Sequence, residues 1–540
     1  MTKYAEHFSP KQTNQMEPIP GEEHKQVKNH EGGYVYKISS WKQLDRFLIL
    51  GCEGGSYYAS EEQMTVDNAK AVIRCLEENP NRVIGRVVEI SESRRAPKND
   101  PALFVLALAA SAGIHGNREA VASALAALPK VARTASHLFQ FLSYVKEYRG
   151  WGRGLRKAVA SWYNEKPTDN LVYQVLKYRN RYGFTHRDVL RLAHPVPPDT
   201  DKGTLYKWIT HSDDVDPESV GEISELLRDF LQLQEADIKK AVRILRANKN
   251  LTWEMLPSHL QGSKQVWRVL IPNLPIEALL RNLGRLAHLD LLKPGASTTN
   301  FVADKLENKD LIHRSRIHPF SVLRALLAYS AGYGVRGSLS WEPCQAILAA
   351  LDTAFRASFV NVEKTGKRIL LAVDTSFSMT WDLLMNVPRL TPRAATGALA
   401  IITKAVEGDR KCEIISFSTK AKPINITSRS TIREAKRAIE ECAARATDCA
   451  APILWAEKRK IPFDAIVIYT DNETFAGKIH PSQALRRYRK KFGLKTKLIV
   501  VAMTSTGFSI ADPDDPGMLD IVGFDSATPQ LISEFIRMED

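Results

Sequence analysis

Asp374, Ser376 and Ser378 stand at alternate positions directly after the apolar run Ile369-Leu-Leu-Ala-Val373. One carboxylate and two hydroxyls at that spacing can share one side of a loop, and ligands that are all oxygen suit a hard cation such as Mg²⁺. A turn cap explains a single D-x-S-x-S equally well. Two further stretches favour the metal. Thr447 lies in ARATDC ahead of a predicted helix, and Asp471 ends a second apolar run, Ile466-Val-Ile-Tyr-Thr-Asp.

These groups need a scaffold that delivers separate loops to one place. The apolar runs are too short for buried helices and end in polar turns, so they read as strands covered on both faces. After residue 360, strands at 369–373, 413–417, 465–469 and 498–503 alternate with helices at 394–405, 431–441 and 481–492. That alternation predicts a doubly wound, mainly parallel α/β sheet with helices on both faces, and such sheets take ligands at the carboxyl ends of their strands. In order and context, Asp374-x-Ser376-x-Ser378, Thr447 and Asp471 resemble the metal-ion-dependent adhesion site of von Willebrand factor A domains, over about residues 363–538. The resemblance implies direct binding of one divalent cation, Mg²⁺, by Ser376, Ser378 and Thr447. Asp374 and Asp471 would help to hold the ion, and an acidic group from a protein partner would fill the open position. Asn472 departs from the pattern, standing where many members have glycine.

A second set of residues points to another chemistry. Residues 146–191 hold eleven Lys and Arg against four Asp and Glu, within a chain of net charge +14. The loop Arg149-Gly-Trp-Gly-Arg-Gly154 leads into a helix on which Arg153, Arg156 and Lys157 share one face, opposite Leu155, Val159 and Trp162. Lys166, Lys177, Arg179 and Arg181 follow, the last expected on one face with Lys177 in a helix over 168–182. His186 and Arg187 open the next helix, where free N–H groups suit phosphate. Cations interleaved with aromatic rings suit RNA, neutralising phosphate and stacking on unpaired bases. One charged helix alone would be an ordinary solvated face; two in succession beside a glycine-rich loop favour nucleic acid. His186 is expected to touch phosphate or base rather than to act as an acid or base, and Trp151 and Trp162 are expected in the core.

The remaining sequence bounds these readings. At 540 residues with 44% hydrophobic content, the chain can fill at least two domains. Its six cysteines form no C-x-x-C pair or zinc spacing, which predicts free thiols and a reducing compartment. The polar stretch 1–30 reads as a flexible tail, and the most apolar run, 101–113, is well short of the roughly 20 residues that cross a bilayer, so no membrane partner is expected. No nucleophile elbow, P-loop or zinc-protease motif is present, and no enzymatic activity is expected.

Between about residues 40 and 360 the apolar periodicity is almost wholly helical. Around seventeen short amphipathic helices fit either a HEAT-like stack of helix pairs or a compact helical domain. Here SWKQLDRFLILGCEGGSYY, RGWGRGLRKAV and YRNRYGFTHRD, followed by DTSFS, TDCA and TDNETFAG, are similar to the 60-kDa Ro/SS-A family of TROVE-domain ribonucleoproteins. The resemblance implies a TROVE ring of HEAT-like repeats at 31–362 closed beside a von Willebrand factor A-like domain at 363–540. It further implies binding of small noncoding Y RNAs on the outer basic surface. The central hole would take single-stranded 3′ ends of misfolded small RNAs, such as ribosomal 5S precursors, in RNA quality control in cytoplasm and nucleus. The competing reading from the metal motif is an adhesion or assembly module that grips a protein partner.

Overall fold

The computed structural model describes residues 12–50, 61–93, 99–111, 116–212, 215–334, 338–376, 379, 390–442, 446–502, 508–522 and 528–538. The chain forms a helical half and an α/β half, as the two periodicities require.

In the helical half each helix buries one stripe. Arg153–Asn164 turns Leu155, Ala158, Val159, Trp162 and Tyr163 inward, and Ile276–His288 buries Ile276, Leu279, Leu280, Leu283 and Leu286. Packing settles the alternative left open by periodicity. Pro80–Glu92 packs on Arg118–Val131, Asp100–Ala109 on Ala135–Tyr148, and Arg118–Val131 on Arg153–Asn164. A helix that contacts both its successor and the next but one belongs to two parallel layers, which is the HEAT-like stack. Trp162 is fully buried and Trp151 packs partly buried against the same core.

Two expected helices end differently. The helix expected over 168–182 stops at Lys177, and a hairpin follows, with Asn180–Arg181 (β3) paired to Phe184–Thr185 (β4). Tyr182 and Gly183 at its tip have φ of 52° and 75°, a left-handed pair that gives a two-residue turn matched to strand twist. Apolar spacing also reads as a helix over 341–359, and the helix observed there begins at Gln345, because Trp341 packs elsewhere.

The α/β half carries a six-stranded sheet. Its strands are Ile369–Asp374 (β5), Cys412–Phe417 (β6), Ala421–Pro423 (β7), Ala465–Thr470 (β8), Lys497–Ala502 (β9) and Met518–Val522 (β11), in the order β11-β9-β8-β5-β6-β7. All pairs are parallel except β6 with β7. Every residue of β5, β8 and β9 is buried, as helices on both faces demand. From β5 the chain builds outward to β7, then returns to β8 on the other side, so the topological switch point lies between β5 and β8.

The expectation of a flexible tail through residue 30 does not hold for residues 12–30. Gln26–Lys28 (β1) and Tyr34–Lys37 (β2) form a three-stranded sheet with Phe508–Ser509 (β10) of the α/β half. Gln15 is fully buried, its amide donating to Asp448 Oδ1 at 2.7 Å and Ile479 O at 2.9 Å, and its carbonyl oxygen accepting from Thr474 Oγ1 at 2.7 Å. Buried polar partners hold this segment, which composition alone does not reveal.

Both ends of the helical half meet the α/β half. The first helix, Ser40–Leu50, packs on β11, and the 3-10 turn Ser358–Asn361 packs on Pro392–Glu407. The α/β half thus closes the helical arc into a ring. All five cysteines among the described residues are free thiols. No helix in those residues is long and apolar enough to cross a membrane.

Candidate metal centre and nucleic-acid interface

Asp374 ends β5 and Asp471 follows β8, so the switch point brings the two carboxylates together at the carboxyl edge of the sheet. The Thr470 hydroxyl joins them, 2.8 Å from Asp374 Oδ2 and 3.4 Å from Asp471 Oδ1. The Ser376 peptide N–H donates to Asp374 Oδ1 at 2.8 Å. Thr447 belongs to the same cluster of loops, its carbonyl accepting from the N–H of Phe475 and Ala476, each at 3.1 Å. Asp374, Ser376, Thr447 and Asp471 are all buried; Ser378 lies outside the described residues.

Burial, reinforced by the charge of Asp471, holds the Asp374 carboxyl well above the usual carboxylate range. Glu473 is pushed up to about 8 by the same two causes. A cation would relieve that repulsion. Among the described residues no group of three or more His, Cys, Asp and Glu is arranged to hold an ion; the set here is two carboxylates with hydroxyls, oxygen donors of the kind that suit a hard cation such as Mg²⁺. These residues fit such an ion.

Three features of this site were not read from the sequence. Arg393, buried in the first turn of Pro392–Glu407, donates to the carbonyls of Thr375 and Ser376 at 2.9 Å each, holding the chain as it leaves β5. An arginine in a first helical turn opposes the helix dipole, the one signal that could have marked it. Asn472 has a φ of 76°, which explains why glycine is common there and why asparagine is tolerated; its side-chain amide donates to Phe508 O at 2.9 Å. His30 Nδ1 lies 2.8 Å from Glu473 Oε1, so the amino-terminal segment reaches the loop beside Asp471.

The basic face is partly as expected. Arg153, Arg156 and Lys157 are exposed together on their helix. Arg187 is exposed in the first turn of His186–Ala193, which starts with a Thr185/Asp188 capping box. Arg179 and Arg181 are exposed, the first contacting Gln234 Oε1 at 3.3 Å and the second Asn180 O at 2.8 Å. Arg181 rides on the hairpin, so it does not share a helix face with Lys177. Lys177 is half-buried, 2.9 Å from Tyr173 Oη and 3.9 Å from Glu254 Oε1. Lys166 lies over the Trp162 ring at 4.3 Å, and burial lowers its pKa. Arg149 turns back to donate to Ala110 O at 2.6 Å.

His186 departs from expectation. It is 3% exposed, bonded through Nδ1 to Tyr163 Oη at 2.8 Å and edge-on to Phe139 at 4.8 Å. Burial drives its pKa down to about 3. As the first residue of an amphipathic helix it falls on the inward stripe with Val189 and Leu190, beneath the exposed face where it was expected.

The TROVE-domain model matches residues 27–215 and 227–331, and the Ro60 vWA-domain model matches 368–536. This chain is a Ro60-family protein. It is 38% identical to a Deinococcus radiodurans relative over 517 residues, covering 95% of this chain and 96% of that one. A Caenorhabditis elegans relative is 33% identical over 584 residues, covering 95% and 90%. Both are named RNA-binding protein RO60. The crystal structure of the Deinococcus radiodurans Ro (Rsr) protein superposes with a TM-score of 0.73 at 37% identity, covering 92% of this chain and 99% of that one. Ro60 architecture therefore accounts for the helical ring and its α/β clasp.

Proposed function

We propose that this Ro60-family chain is an RNA-binding protein of a small ribonucleoprotein. Structured noncoding RNAs of the Y class bind the outer basic face, and single-stranded 3′ ends of misfolded small RNAs enter the ring in RNA quality control. The observation that carries the reading is the exposed row Arg153, Arg156 and Lys157, followed along the chain by the exposed Arg179 and Arg181. Exposed cations of this kind neutralise phosphate and fix register without reading bases. Relatives that carry the name RNA-binding protein RO60 support the same reading. No step in it requires the protein to make or break a bond.

Filter binding of a structured small RNA across a salt series tests the reading. Replacing Arg153 and Arg156 by glutamine should make the slope of log affinity against log salt shallower by about 1.4 to 1.8 units. An unchanged slope in a folded double variant would reject the face. For the ring, a single-stranded 3′ overhang should bind better than a blunt end of the same RNA, because a paired end presents no free strand; equal affinities would reject entry.

The switch-point carboxylates favour a second role. Mg²⁺ held by Asp374, Ser376, Thr447 and Asp471 would present an open position to an acidic group of a protein partner. Chelation should abolish such protein binding and leave RNA affinity nearly unchanged, since no residue of the basic face belongs to the metal set.

A further inference from the structure

A cavity of about 580 Å³ opens between four elements that are distant in sequence. Lys177 closes one side, Trp253 another, Arg281 and Arg285 come from Ile276–His288, and Tyr333 and Trp341 follow Pro319–Ala331. Its volume lies in the roughly 300–1,000 Å³ range of sites for small organic ligands, which includes a nucleotide.

The aromatic wall is rigid. Trp341 lies so close on the Ile276–His288 backbone that a Cβ on Gly284 would stand 2.7 Å from two of its ring atoms. Its Nε1 donates to Tyr329 O at 2.9 Å, and the indole stacks on Tyr329 at 6.1 Å and 21°. Tyr329 is pinned in turn, its hydroxyl accepting from the Cys344 N–H at 3.1 Å. This packing is what displaced Trp341 from the expected helix. Opposite, Trp253 stacks on Trp267 at 6.2 Å beneath the Arg285 guanidinium at 5.3 Å. Tyr333, by contrast, is 54% exposed although it borders this ordered wall. Of the three cations, Lys177 bonds Tyr173 Oη, Arg281 bonds Glu277 and Arg285 lies over Trp253; a phosphate would compete with Glu277 for Arg281, and a ring left open beside fixed rings and these cations is arranged to receive a flat, anionic guest.

We infer that the cavity takes a single unstacked nucleotide, its base on Tyr333 and its phosphate on Arg281 and Arg285. A purely apolar ligand would gain nothing from the cations, and an inorganic anion would leave the aromatic faces unused. Glu254 supplies an acceptor suited to an exocyclic amino group. Duplex RNA is excluded because its bases are stacked and paired, whereas a splayed base can stack on an aromatic side chain. Lys177 lines the cavity and also follows the basic face, so a strand bound outside can deliver one base inward. The inference rests on the RNA reading for the strand as its source; free mononucleotide offers the same chemistry.

The test compares a fluorescent single-stranded RNA decamer, a blunt RNA duplex and AMP on the full chain, on Tyr333→Ala and on Tyr333→Phe, with circular dichroism to establish folding. Tyr333→Ala should weaken decamer binding about tenfold, the scale of one lost base stack, while Tyr333→Phe keeps it and duplex affinity is unchanged. AMP binding that depends on Tyr333, with a decamer that does not, assigns the cavity to free nucleotide. Decamer and AMP both bound equally by wild type and a folded Tyr333→Ala overturn the cavity and leave the RNA reading standing. A wild-type chain that binds neither RNA nor AMP overturns both.

Discussion

Arg46 of the first described helix and Asp520 of β11 form an ion pair across the junction of the two halves, with side chains only 4% and 0% exposed. Arg46 also donates to Phe508 O at 3.2 Å, the carbonyl that Asn472, in the loop after β8, shares. Leaving one charge of such a pair alone costs about 3–5 kcal/mol, whereas replacing both by apolar groups can cost far less. Arg46→Met should lower the urea midpoint strongly, and Arg46→Met with Asp520→Leu should recover most of the loss. A single variant as stable as wild type would show that the junction does not depend on the pair.

Acid should weaken the helical half. Burial lowers His186 to about 3, and His137 and His318 to about 4. The unfolded chain takes up these protons near pH 6.5 and the folded chain does not, so stability is full above that pH. It declines as pH falls towards 4, by up to about 1.4 kcal/mol per pH unit for each histidine. His186→Phe should flatten the melting-temperature profile between pH 6.5 and 4. An identical profile in that variant would contradict the assignment.

Mg²⁺ should raise the melting temperature, with about 2.7 kcal/mol of stabilisation at a hundredfold excess over Kd. Asp374→Asn should abolish that response. In chelator the same variant should melt at or above wild type, because it removes one of two repelling buried carboxylates. Calorimetry with and without EDTA reads both effects, and a full Mg²⁺ response in Asp374→Asn would remove this residue from the site.

Gly477→Ala should release the amino-terminal segment. A Cβ there would stand 2.2 Å from Gln15 Nε2 and 2.3 Å from Asp448 Oδ1. Trypsin should then cut quickly after Lys25 and Lys28, which wild type protects within or next to β1. Equal cleavage rates would show that Gln15 is not the anchor.

Much of this architecture can be read from local pattern. Apolar runs at 369–373 and 465–469 each end in an aspartate, and parallel pairing alone then sets Asp374 beside Asp471. Arg153, Arg156 and Lys157 are legible because helical spacing places them opposite Leu155 and Trp162. What escapes the sequence depends on distant partners. Gln15 looks like a residue of a polar tail until Thr474 and Asp448, more than 430 positions away, satisfy its amide. His186 looks like a helix-start donor until Tyr163 and Phe139 enclose it, and the left-handed Tyr182 hides a hairpin inside an apparent helix.

The pairing of β2 with β10 has a consequence during synthesis. Strand Tyr34–Lys37 is made about 470 residues before its partner Phe508–Ser509. At about 5–20 residues per second, the nascent edge waits roughly half a minute or more without its mate, exposed as a template for foreign strands. Production of this protein should therefore depend on translation speed and on chaperones that shield an open edge, and a circular permutant that begins near residue 494, in the loop between the helix Pro481–Phe492 and β9, should fold with less aggregation.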